Sequence, residues 1–293
     1  MNKLLVIGGS GMLGSSLVNA CKVKTIEFDS PSSKILDIRN IKLLRDYILK
    51  RKPFAVINCA AWTDVEESES QYQNAYRLNV EAVKNIATVA KESGIPVVHI
   101  STDYVFNGQK TFPYTEKDLP APINAYGLSK YEGEMMLLEL FPENSYIVRT
   151  SWLYGINGKN FVKKILARAI LREKVQVVND QFGSPTNSED LAEGILRLVE
   201  SYPEPGIYHF SNSGNVSWFD FAVKIYELAR TEKQLVVPIG SDSLVSKLKR
   251  PKYSVFSTEK WENAGMTKII NWEKSLTDVF PRIETSVRKE ISN

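Results

Sequence analysis

Leu4-Leu-Val-Ile7 leads directly into Gly8-Gly-Ser-Gly-Met-Leu-Gly14, and this stretch decides the fold. A short apolar strand, a glycine-rich turn and a helix, in this order, form the first unit of a dinucleotide-binding α/β domain. Gly8 and Gly11 permit a tight turn and close approach of a pyrophosphate, and Gly14 lets the helix pack against the strand. A glycine turn without a ligand is the alternative. The strand before the turn and the helix after it favour a cofactor site.

Two further features of this region bear on the cofactor. Backbone N–H groups at the start of the helix, beside Met12 and Leu13, are predicted to face the cofactor phosphates with help from the helix dipole. Asp29 ends the second predicted strand, where a carboxylate can accept hydrogen bonds from the adenosine ribose, which favours NADH. Ser30 and Lys34 follow and could instead hold a 2′-phosphate. The cofactor is therefore predicted to be NADPH or NADH.

Additional cofactor contacts are predicted after the second and third strands. Asp37 and Ile38 could hold the adenine through a side-chain hydrogen bond and an apolar contact, although a helix N-cap explains Asp37 equally well. Small residues at the carboxyl end of a strand allow a ligand to approach closely. Ala60 and Ala61 are therefore predicted to line the nicotinamide-side ribose and the pyrophosphate, with Thr63 as a further candidate.

The first half of the chain alternates short apolar runs with longer amphipathic ones, which predicts βα units and a parallel sheet. Strands are predicted at residues 4–7, 25–28, 55–58, 97–100 and 146–149. Helices are predicted at residues 14–22, 41–51, 73–93 and 129–139. The strands are continuously apolar, as strands covered on both faces by helices should be. The predicted fold is α/β, a Rossmann-like doubly wound parallel sheet.

The composition changes after Arg149, where Tyr, Trp, Pro and Gly become frequent. This change predicts a smaller C-terminal substrate-binding lobe over the carboxyl ends of the strands, where open α/β sheets hold ligands. Residues 1–150 are predicted to form the NAD(P)-binding domain, to which later segments around 186–210 return. Residues 151–293 are predicted to form mainly the substrate lobe, with helices at 161–171 and 218–230.

Bulk properties exclude several classes of function. The chain has 293 residues, 43% of them hydrophobic and 24% charged, and its net charge of +3 comes from scattered lysines. Neither nucleic acid nor an anionic membrane is therefore an expected partner. No apolar run approaches the roughly 20 residues needed to span a bilayer. Cys21 and Cys59 are far apart in apolar surroundings and are predicted to be free thiols, so the expected location is the cytoplasm.

The stretch Ile100-Ser-Thr-Asp-Tyr-Val-Phe106 and, further on, the pair Tyr126 and Lys130 carry groups that can move a proton at a carbonyl. A carbonyl that receives hydride needs a proton at its oxygen as negative charge grows. Tyr126 can supply it if a nearby ammonium lowers its pKa from about 10 toward neutrality, and Lys130 lies one helical turn on. Lys130 can also bind the cofactor ribose, and Thr102 or Ser101 can offer the substrate oxygen a hydroxyl. An ordinary helix-surface Tyr–Lys pair is the alternative.

Three side chains are predicted to bind the substrate. Tyr104 and Trp152 follow sheet strands and offer flat apolar faces to a ligand, although packing between the lobes is an equally simple explanation. Arg250 ends a short basic stretch before Pro251 and could pair with a diphosphate through a bidentate fork. A solvated surface is the alternative for these charges.

Together these motifs resemble those of the dTDP-4-dehydrorhamnose reductases, a family of the extended short-chain dehydrogenase/reductase superfamily. The similar segments cover most of the chain, at residues 8–14, 58–65, 100–106, 126–130, 148–155, 180–186 and 250–251. The resemblance implies reduction of dTDP-4-dehydro-L-rhamnose to dTDP-L-rhamnose by NADPH or NADH. It assigns Thr102, Tyr126 and Lys130 to a catalytic triad, and Tyr104 and Trp152 to the sugar pocket.

One sequence difference from related enzymes of the superfamily argues against dehydratase activity, and a second bears on Mg²⁺ binding. Related dehydratases carry Thr-Asp-Glu where this chain has Thr102-Asp103-Tyr104, so dehydration lacks its base. Some family members hold Mg²⁺ at a dimer contact through acidic residues, to which Glu189 and Asp190 could correspond. Ser15 offers no carboxylate there. Acids at a helix N-terminus explain the acidic pair better, so no metal site is predicted. A homodimer remains an expectation from the resemblance alone.

Two other functions remain open from the sequence. The regulatory subunit of methionine adenosyltransferase is similar to this reductase family and is not a reductase. A reductase of another nucleotide-linked 4-ketosugar is the second alternative, because the contacts that select base and sugar come from loops. The intact set of Thr102, Tyr126 and Lys130 favours an enzyme.

Overall fold

A computed structural model describes residues 3–243 and 248–292. Its strands are β1 (Leu4–Ile7), β2 (Phe28–Asp29), β3 (Ala55–Asn58), β4 (Val97–Thr102), β5 (Ser145–Thr150), β6 (Leu153–Tyr154), β7 (Val175–Val178), β8 (Phe182–Gly183), β9 (Thr186–Asn187), β10 (Gly206–His209), β11 (Val216–Ser217) and β12 (Val236–Ile239). Its helices are α1 (Met12–Val23), α2 (Ile41–Arg51), α3 (Val65–Ser70), α4 (Tyr72–Tyr76), α5 (Ala82–Ser93), α6 (Ala125–Leu140), α7 (Phe161–Ile170), α8 (Ser188–Ser201), α9 (Trp218–Leu228), α10 (Glu259–Asn263) and α11 (Trp272–Ser292).

The central sheet has the order β10-β5-β4-β3-β1-β2, and its neighbouring strands are parallel. The chain passes from β1 to β2 on one side and then returns to place β3 on the other. This reversal puts the switch point of the sheet between the carboxyl ends of β1 and β3, where ligands of open α/β sheets bind. The predicted Rossmann-like doubly wound fold is confirmed.

Helices cover both faces of the sheet. On one face, Leu17 of α1 and Leu191 of α8 pack against β1 and β3 in one buried apolar cluster. On the other face, Ile48 of α2, Ile86 of α5 and Leu137 of α6 form a second cluster with the same strands. Burial on both faces explains why the strands are apolar without alternation.

The structure corrects three predicted boundaries. Residues 25–28 were expected to form the second strand, but Thr25 has φ +56°, a left-handed conformation that ends the turn after α1. The strand therefore begins only at Phe28. The helix predicted at 73–93 is divided into α4 and α5 by a π-helical turn at Arg77–Glu81. Helix α6 begins at Ala125, where the Asn124 side chain accepts from the Gly127 N–H at 2.8 Å, so its first turn contains Tyr126.

The segments after residue 150 divide between the sheet and a smaller packed unit. Helix α8 belongs to the first apolar cluster and β10 is an edge strand of the central sheet. Helices α7, α9 and α11 enclose a separate cluster in which Phe221 and Trp272 are buried. Within the described residues, no helix is long and apolar enough to cross a membrane.

A buried ion pair fixes α6 against the sheet. Arg149 of β5 donates from Nε and from a terminal nitrogen to the two carboxylate oxygens of Glu134, at 2.9 and 2.6 Å. Both side chains are buried, and the Arg149 guanidinium lies 5.1 Å from the Phe106 ring centroid. The pair locks the register between α6 and β5.

Candidate active site

The glycine turn after β1 forms a cradle without side chains. Gly8 has φ +79°, and a Cβ atom there would lie 2.7 Å from the backbone nitrogen of Ala60. A Cβ on Gly14 would lie 2.1 Å from the Gly8 carbonyl oxygen. Larger residues at either position would push the turn away from α1 and β3, so the turn requires glycine.

The first turn of α1 is open to an anion. Gly11 is its N-cap, no side chain accepts from the first N–H groups, and the turn contains no acidic residue. Unsatisfied N–H groups and the positive end of the helix dipole make such a terminus suited to phosphate. Met12 and Leu13 begin this turn, two residues before the predicted helix start at Gly14. The glycine cradle and the uncapped helix together fit a dinucleotide pyrophosphate.

A cavity of about 680 Å³ lies beside this cradle. It contains four residues that were predicted to bind the cofactor, Gly8, Asp37, Ile38 and Ala60, together with the Ser30–Ser33 segment and Arg39. The cavity extends from the glycine turn toward β2, which is where the adenosine half of a dinucleotide would lie. Ala61 and Thr63 follow Ala60 on the loop after β3.

Asp29 is not among the residues that line this cavity. Phe28 and Ser30 line the cavity, and successive residues of a strand face opposite sides. The Asp29 carboxylate lies 3.3 Å from Nε of Arg51 on α2. Ribose recognition by Asp29 remains a prediction, and it would require this carboxylate to turn from Arg51.

Asp37 is held by a neighbouring arginine. Its carboxylate accepts from Nε and a terminal nitrogen of Arg39 at 2.9 and 2.8 Å, and from the Arg39 backbone N–H at 3.0 Å. The side-chain hydrogen bond from Arg39 lowers the pKa of Asp37. The alternative that Asp37 caps a helix is wrong, because Asn40 is the N-cap of α2 and accepts from the Leu43 N–H.

Thr102, Tyr126 and Lys130 meet at the carboxyl end of β4. Thr102 is the last residue of β4, and its hydroxyl donates to Asp103 at 3.1 Å and accepts from the Tyr104 N–H at 3.2 Å, while the Tyr104 ring contacts the Tyr126 ring. Lys130 Nζ donates to the Ile100 carbonyl oxygen at 2.7 Å. The structure thus brings together the three residues that the sequence marked for proton transfer.

The pKa of Tyr126 differs from the sequence expectation. Burial raises the pKa of Tyr126 to about 12; the interaction with the Thr102 hydroxyl acts against this and the Asp103 charge adds to it. Burial also lowers the pKa of Lys130 to about 8, while Glu134 and Cys59 oppose that effect. The predicted fall of the Tyr126 pKa toward neutrality is therefore absent, because desolvation of the phenolate outweighs the favourable interactions in this structure.

Asp103 is a buried acid that the sequence analysis did not assign. Its side chain is 2% exposed, and its Oδ2 has no hydrogen-bond partner among the described residues. Burial raises the pKa of Asp103 to about 6, although hydrogen bonds from Ser254 and Thr102 oppose this. Its position directly after Thr102 was the only signal in the sequence.

The predicted sugar-pocket aromatics lie in two different surroundings. The Tyr104 ring makes an edge contact with Tyr126, with ring centroids 5.6 Å apart. Trp152 has φ +48°, and its ring stacks on Trp218 with centroids 3.4 Å apart and planes 6° apart. Gly183 packs against the Trp152 ring, since a Cβ there would lie 2.4 Å from it. Tyr104 thus adjoins the proposed acid, whereas Trp152 is part of an aromatic stack with Trp218.

A second cavity, of about 990 Å³, lies between the loop after β4 and the residues that precede Tyr253. Four cationic residues, Lys110, Lys249, Arg250 and Lys252, line it together with two acidic residues, Asp180 and Asp242. Arg250 lies 3.3 Å from the Glu66 carboxylate, and its charge lowers the pKa of Tyr104, which burial raises. The cavity is therefore basic, and Arg250 connects it to the Tyr104–Tyr126 contact.

Glu189 and Asp190, the two acidic residues considered as Mg²⁺ ligands, form hydrogen bonds with other side chains. Both carboxylates stand in the first turn of α8, as the helix-terminus explanation predicted. Glu189 accepts two hydrogen bonds from Arg282, and Asp190 accepts from Asn212 and Ser275. Across the ranges 3–243 and 248–292, no three His, Cys, Asp or Glu side chains cluster as metal ligands would.

Comparisons with known proteins agree with this geometry. The family model described as the RmlD substrate binding domain matches residues 1–285. The chain is 38% identical to the dTDP-4-keto-6-deoxy-D-glucose reductase of Streptomyces niveus, over 96% of this chain and 97% of that protein. It is 36% identical to the dTDP-4-dehydrorhamnose reductase of Streptomyces griseus, over 95% and 93%. The crystal structure of the Bacillus anthracis dTDP-4-dehydrorhamnose reductase in complex with NADP has a TM-score of 0.91 and 38% identity, over 96% and 99% of the two chains.

Proposed function

Because the chain belongs to the dTDP-4-dehydrorhamnose reductase family, we propose that it reduces the 4-keto group of dTDP-4-dehydro-L-rhamnose to give dTDP-L-rhamnose. The protein is an NAD(P)H-dependent oxidoreductase, since its relatives are named reductases and the similar Bacillus anthracis structure is a complex with NADP. The observation that carries the proposal is the meeting of Thr102, Tyr126 and Lys130 at the end of β4, beside a glycine cradle suited to a dinucleotide.

The chain's own residues hold the cofactor and move the proton. NAD(P)H, when bound, supplies the hydride that reduces the carbonyl carbon. The uncapped start of α1 would hold the pyrophosphate, and the cavity with Asp37, Ile38 and Ala60 would hold the adenosine half. Tyr126 donates its proton to the carbonyl oxygen, and Thr102 orients both the phenol and that oxygen. The Lys130 ammonium favours the tyrosinate that remains.

The basic cavity is the proposed nucleotide-sugar site. Its four cations suit a diphosphate, and Arg250 reaches from it toward Tyr104. Tyr104 would cover one side of the sugar ring next to Tyr126. Trp152 joins this site in the proposal through the aromatic stack with Trp218. Residues 1–150 would carry the cofactor and residues 151–293 mainly the nucleotide-sugar; the return of 186–210 is supported by α8 and β10.

A second candidate is reduction of a different dTDP-linked 4-ketosugar. The Streptomyces niveus relative, named a dTDP-4-keto-6-deoxy-D-glucose reductase, is 38% identical to this chain, compared with 36% for the Streptomyces griseus dTDP-4-dehydrorhamnose reductase, which supports this candidate. We further propose a cytoplasmic homodimer. The free thiols Cys21 and Cys59 support a reducing compartment, and the dimer rests on the family resemblance.

An NAD(P)H oxidation assay against a panel of dTDP-4-ketosugars tests the function. The expected result is turnover of dTDP-4-dehydro-L-rhamnose with a higher kcat/KM than its 4-keto-6-deoxy-D-glucose counterpart. The reverse order would select the second candidate. No turnover of any member, together with a tight complex with methionine adenosyltransferase, would favour a regulatory role. Light scattering of the purified protein tests the dimer.

A further inference from the structure

Lys130 makes a second buried contact that the mechanism above does not use. Its Nζ lies 3.2 Å from Nε2 of His99, on the same strand as the Ile100 carbonyl that it also contacts. Lys130 is 2% exposed and His99 is fully buried. The two nitrogens therefore form an internal hydrogen bond, in which one must donate and the other must accept.

The other ring nitrogen of His99 determines the direction of this bond. Nδ1 lies 3.1 Å from the amide nitrogen of Asn58, whose amide oxygen accepts from the Ala60 N–H at 3.1 Å. A backbone N–H can only donate, so it fixes the orientation of the Asn58 amide. The Asn58 NH₂ group can also only donate, so Nδ1 accepts. In a neutral ring the proton must then be on Nε2.

The Nε2–H group thus points at Lys130. An ammonium has three donors and no lone pair, so only the uncharged amine can accept from this N–H. Burial lowers the pKa of His99 well below its usual value, so the ring remains neutral. Burial of Lys130 acts in the same direction as the N–H donor, since it also favours the amine.

Other groups around Lys130 favour its charged ammonium form. Glu134, one turn further along α6, and Cys59, after β3, both raise the pKa of Lys130. Tyr126 lies one turn earlier on α6, and the Asp103 carboxylate acts on it from the end of β4. Unlike Glu134 and Cys59, His99 favours the uncharged form of Lys130.

We propose that His99, held as its Nε2–H tautomer by Asn58, is a positioning residue that donates to Lys130 and favours the amine. Lys130 then exchanges its proton near neutral pH and is not a permanent ammonium. The consequence for catalysis rests on the proposed function: the ammonium is the active form, so kcat/KM should fall as the pH rises through the pKa of Lys130.

The tautomer can be measured without any activity. The chain has two histidines, and His209 serves as an internal reference. Its Nδ1 lies 3.1 Å from the Tyr114 carbonyl oxygen, which only accepts, so His209 must carry its proton on Nδ1. Imidazole ¹⁵N spectra of the full chain, labelled at histidine, should show two neutral rings of opposite tautomer, assigned with His99→Phe. Two Nδ1–H rings would overturn the proposal.

A pH titration of the same spectra measures the coupling to Lys130. The ¹⁵N shift of His99 Nε2 should change with a midpoint at about pH 8, the pKa of Lys130, while His209 stays constant. The transition should disappear in Lys130→Met. A wild-type His99 signal that does not change between pH 6 and pH 10, roughly two units on either side of that pKa, would overturn the coupling.

Asn58→Asp is designed to reverse the tautomer. A carboxylate can accept both from the Ala60 N–H and from a ring Nδ1–H, so His99 should become the Nδ1–H form with Nε2 as an acceptor. The titration midpoint should then rise by roughly one pH unit or more. The control is Ser145→Ala, which removes a buried hydroxyl on β5 that has no hydrogen-bond partner among the described residues. It should change neither the His99 tautomer nor the titration midpoint. An unchanged His99 tautomer in Asn58→Asp would contradict the proposal. A protein that shows the expected spectra but has no reductase activity would contradict only the proposed reductase function.

Discussion

The Asp29 carboxylate lies 3.3 Å from the Arg51 guanidinium and does not line the cavity proposed for the adenosine. A carboxylate at the end of the second strand would normally repel a 2′-phosphate and bind the ribose diol. Here its charge is offset by Arg51, while Ser30, Ser32 and Ser33 line the cavity itself. This arrangement should permit the use of both NADPH and NADH.

We therefore predict that Arg51→Gln moves cofactor preference toward NADH. Without Arg51 the Asp29 carboxylate is free to repel the 2′-phosphate, and a change of about 1 kcal/mol would alter the ratio of the two kcat/KM values roughly fivefold. Asp29→Ala should move the ratio the other way. Lys50→Gln removes a charge from the same end of α2 and is the control. If the ratio of the kcat/KM values for the two cofactors is unchanged in both Arg51→Gln and Asp29→Ala, this pair does not determine cofactor preference.

Tyr126→Phe should reduce kcat by roughly two to four orders of magnitude, the usual effect of losing a positioned general acid. Cofactor affinity, measured by fluorescence titration, should be nearly unchanged because the ring remains. Lys130→Met should reduce both turnover and cofactor affinity. Tyr131→Phe, on the same helix, is the control and should have close to wild-type kcat. Near-normal turnover of Tyr126→Phe would mean that another group supplies the proton.

Trp218→Ala should weaken the sugar site although Trp218 was not predicted from the sequence to be part of it. Its ring supports the Trp152 ring, and an aromatic pair of this kind contributes about 0.5–1.5 kcal/mol beyond area burial. We expect kcat/KM for the nucleotide-sugar to fall in Trp218→Ala and further in Trp152→Ala, with the KM for NAD(P)H unchanged. If Trp218→Ala alters neither constant, the stack is packing between elements and not part of the sugar site.

Arg250→Ala should raise the KM for the nucleotide-sugar by roughly tenfold to a hundredfold, since charge-assisted hydrogen bonds contribute about 1.5–3 kcal/mol. The KM for NAD(P)H should be unaffected. Arg172→Ala removes an exposed arginine that pairs with Glu232 outside the basic cavity, and it is the matched control. Equal losses for both substrates in Arg250→Ala would indicate a folding defect.

Arg149→Met should destabilise the protein by about 3–5 kcal/mol, because it leaves the buried Glu134 carboxylate without its partner. The double variant Glu134→Leu/Arg149→Met removes both charges and should recover most of this loss. Urea unfolding followed by circular dichroism measures both values. Equal destabilisation in the single and double variants would show that the apolar parts of these side chains, and not the charge pair, hold α6 to β5.

Some features of this protein follow from local sequence alone. The strand at Leu4–Ile7 and the glycine turn before α1 could be predicted, because a strand and a tight turn depend on residues close together in the chain. The pairing of Tyr126 with Lys130 could also be predicted, since residues four apart share a helix face. These local rules were sufficient for the fold class and for the spacing of Tyr126 and Lys130 on one helix.

Other features depend on contacts between distant segments. The sequence placed Asp29 at the end of a strand, but only the packing of α2 on the sheet shows that its carboxylate faces Arg51. It identified Trp152, but not Trp218 as its stacking partner. Likewise the sequence indicates no partner for His99, and the folded chain shows that its ring nitrogens contact Lys130 and Asn58. The physical reason is the same in each case. Burial and the direction of a hydrogen bond depend on which groups tertiary packing brings within about 3 Å of each other. The sequence of a single segment does not show which distant groups these are.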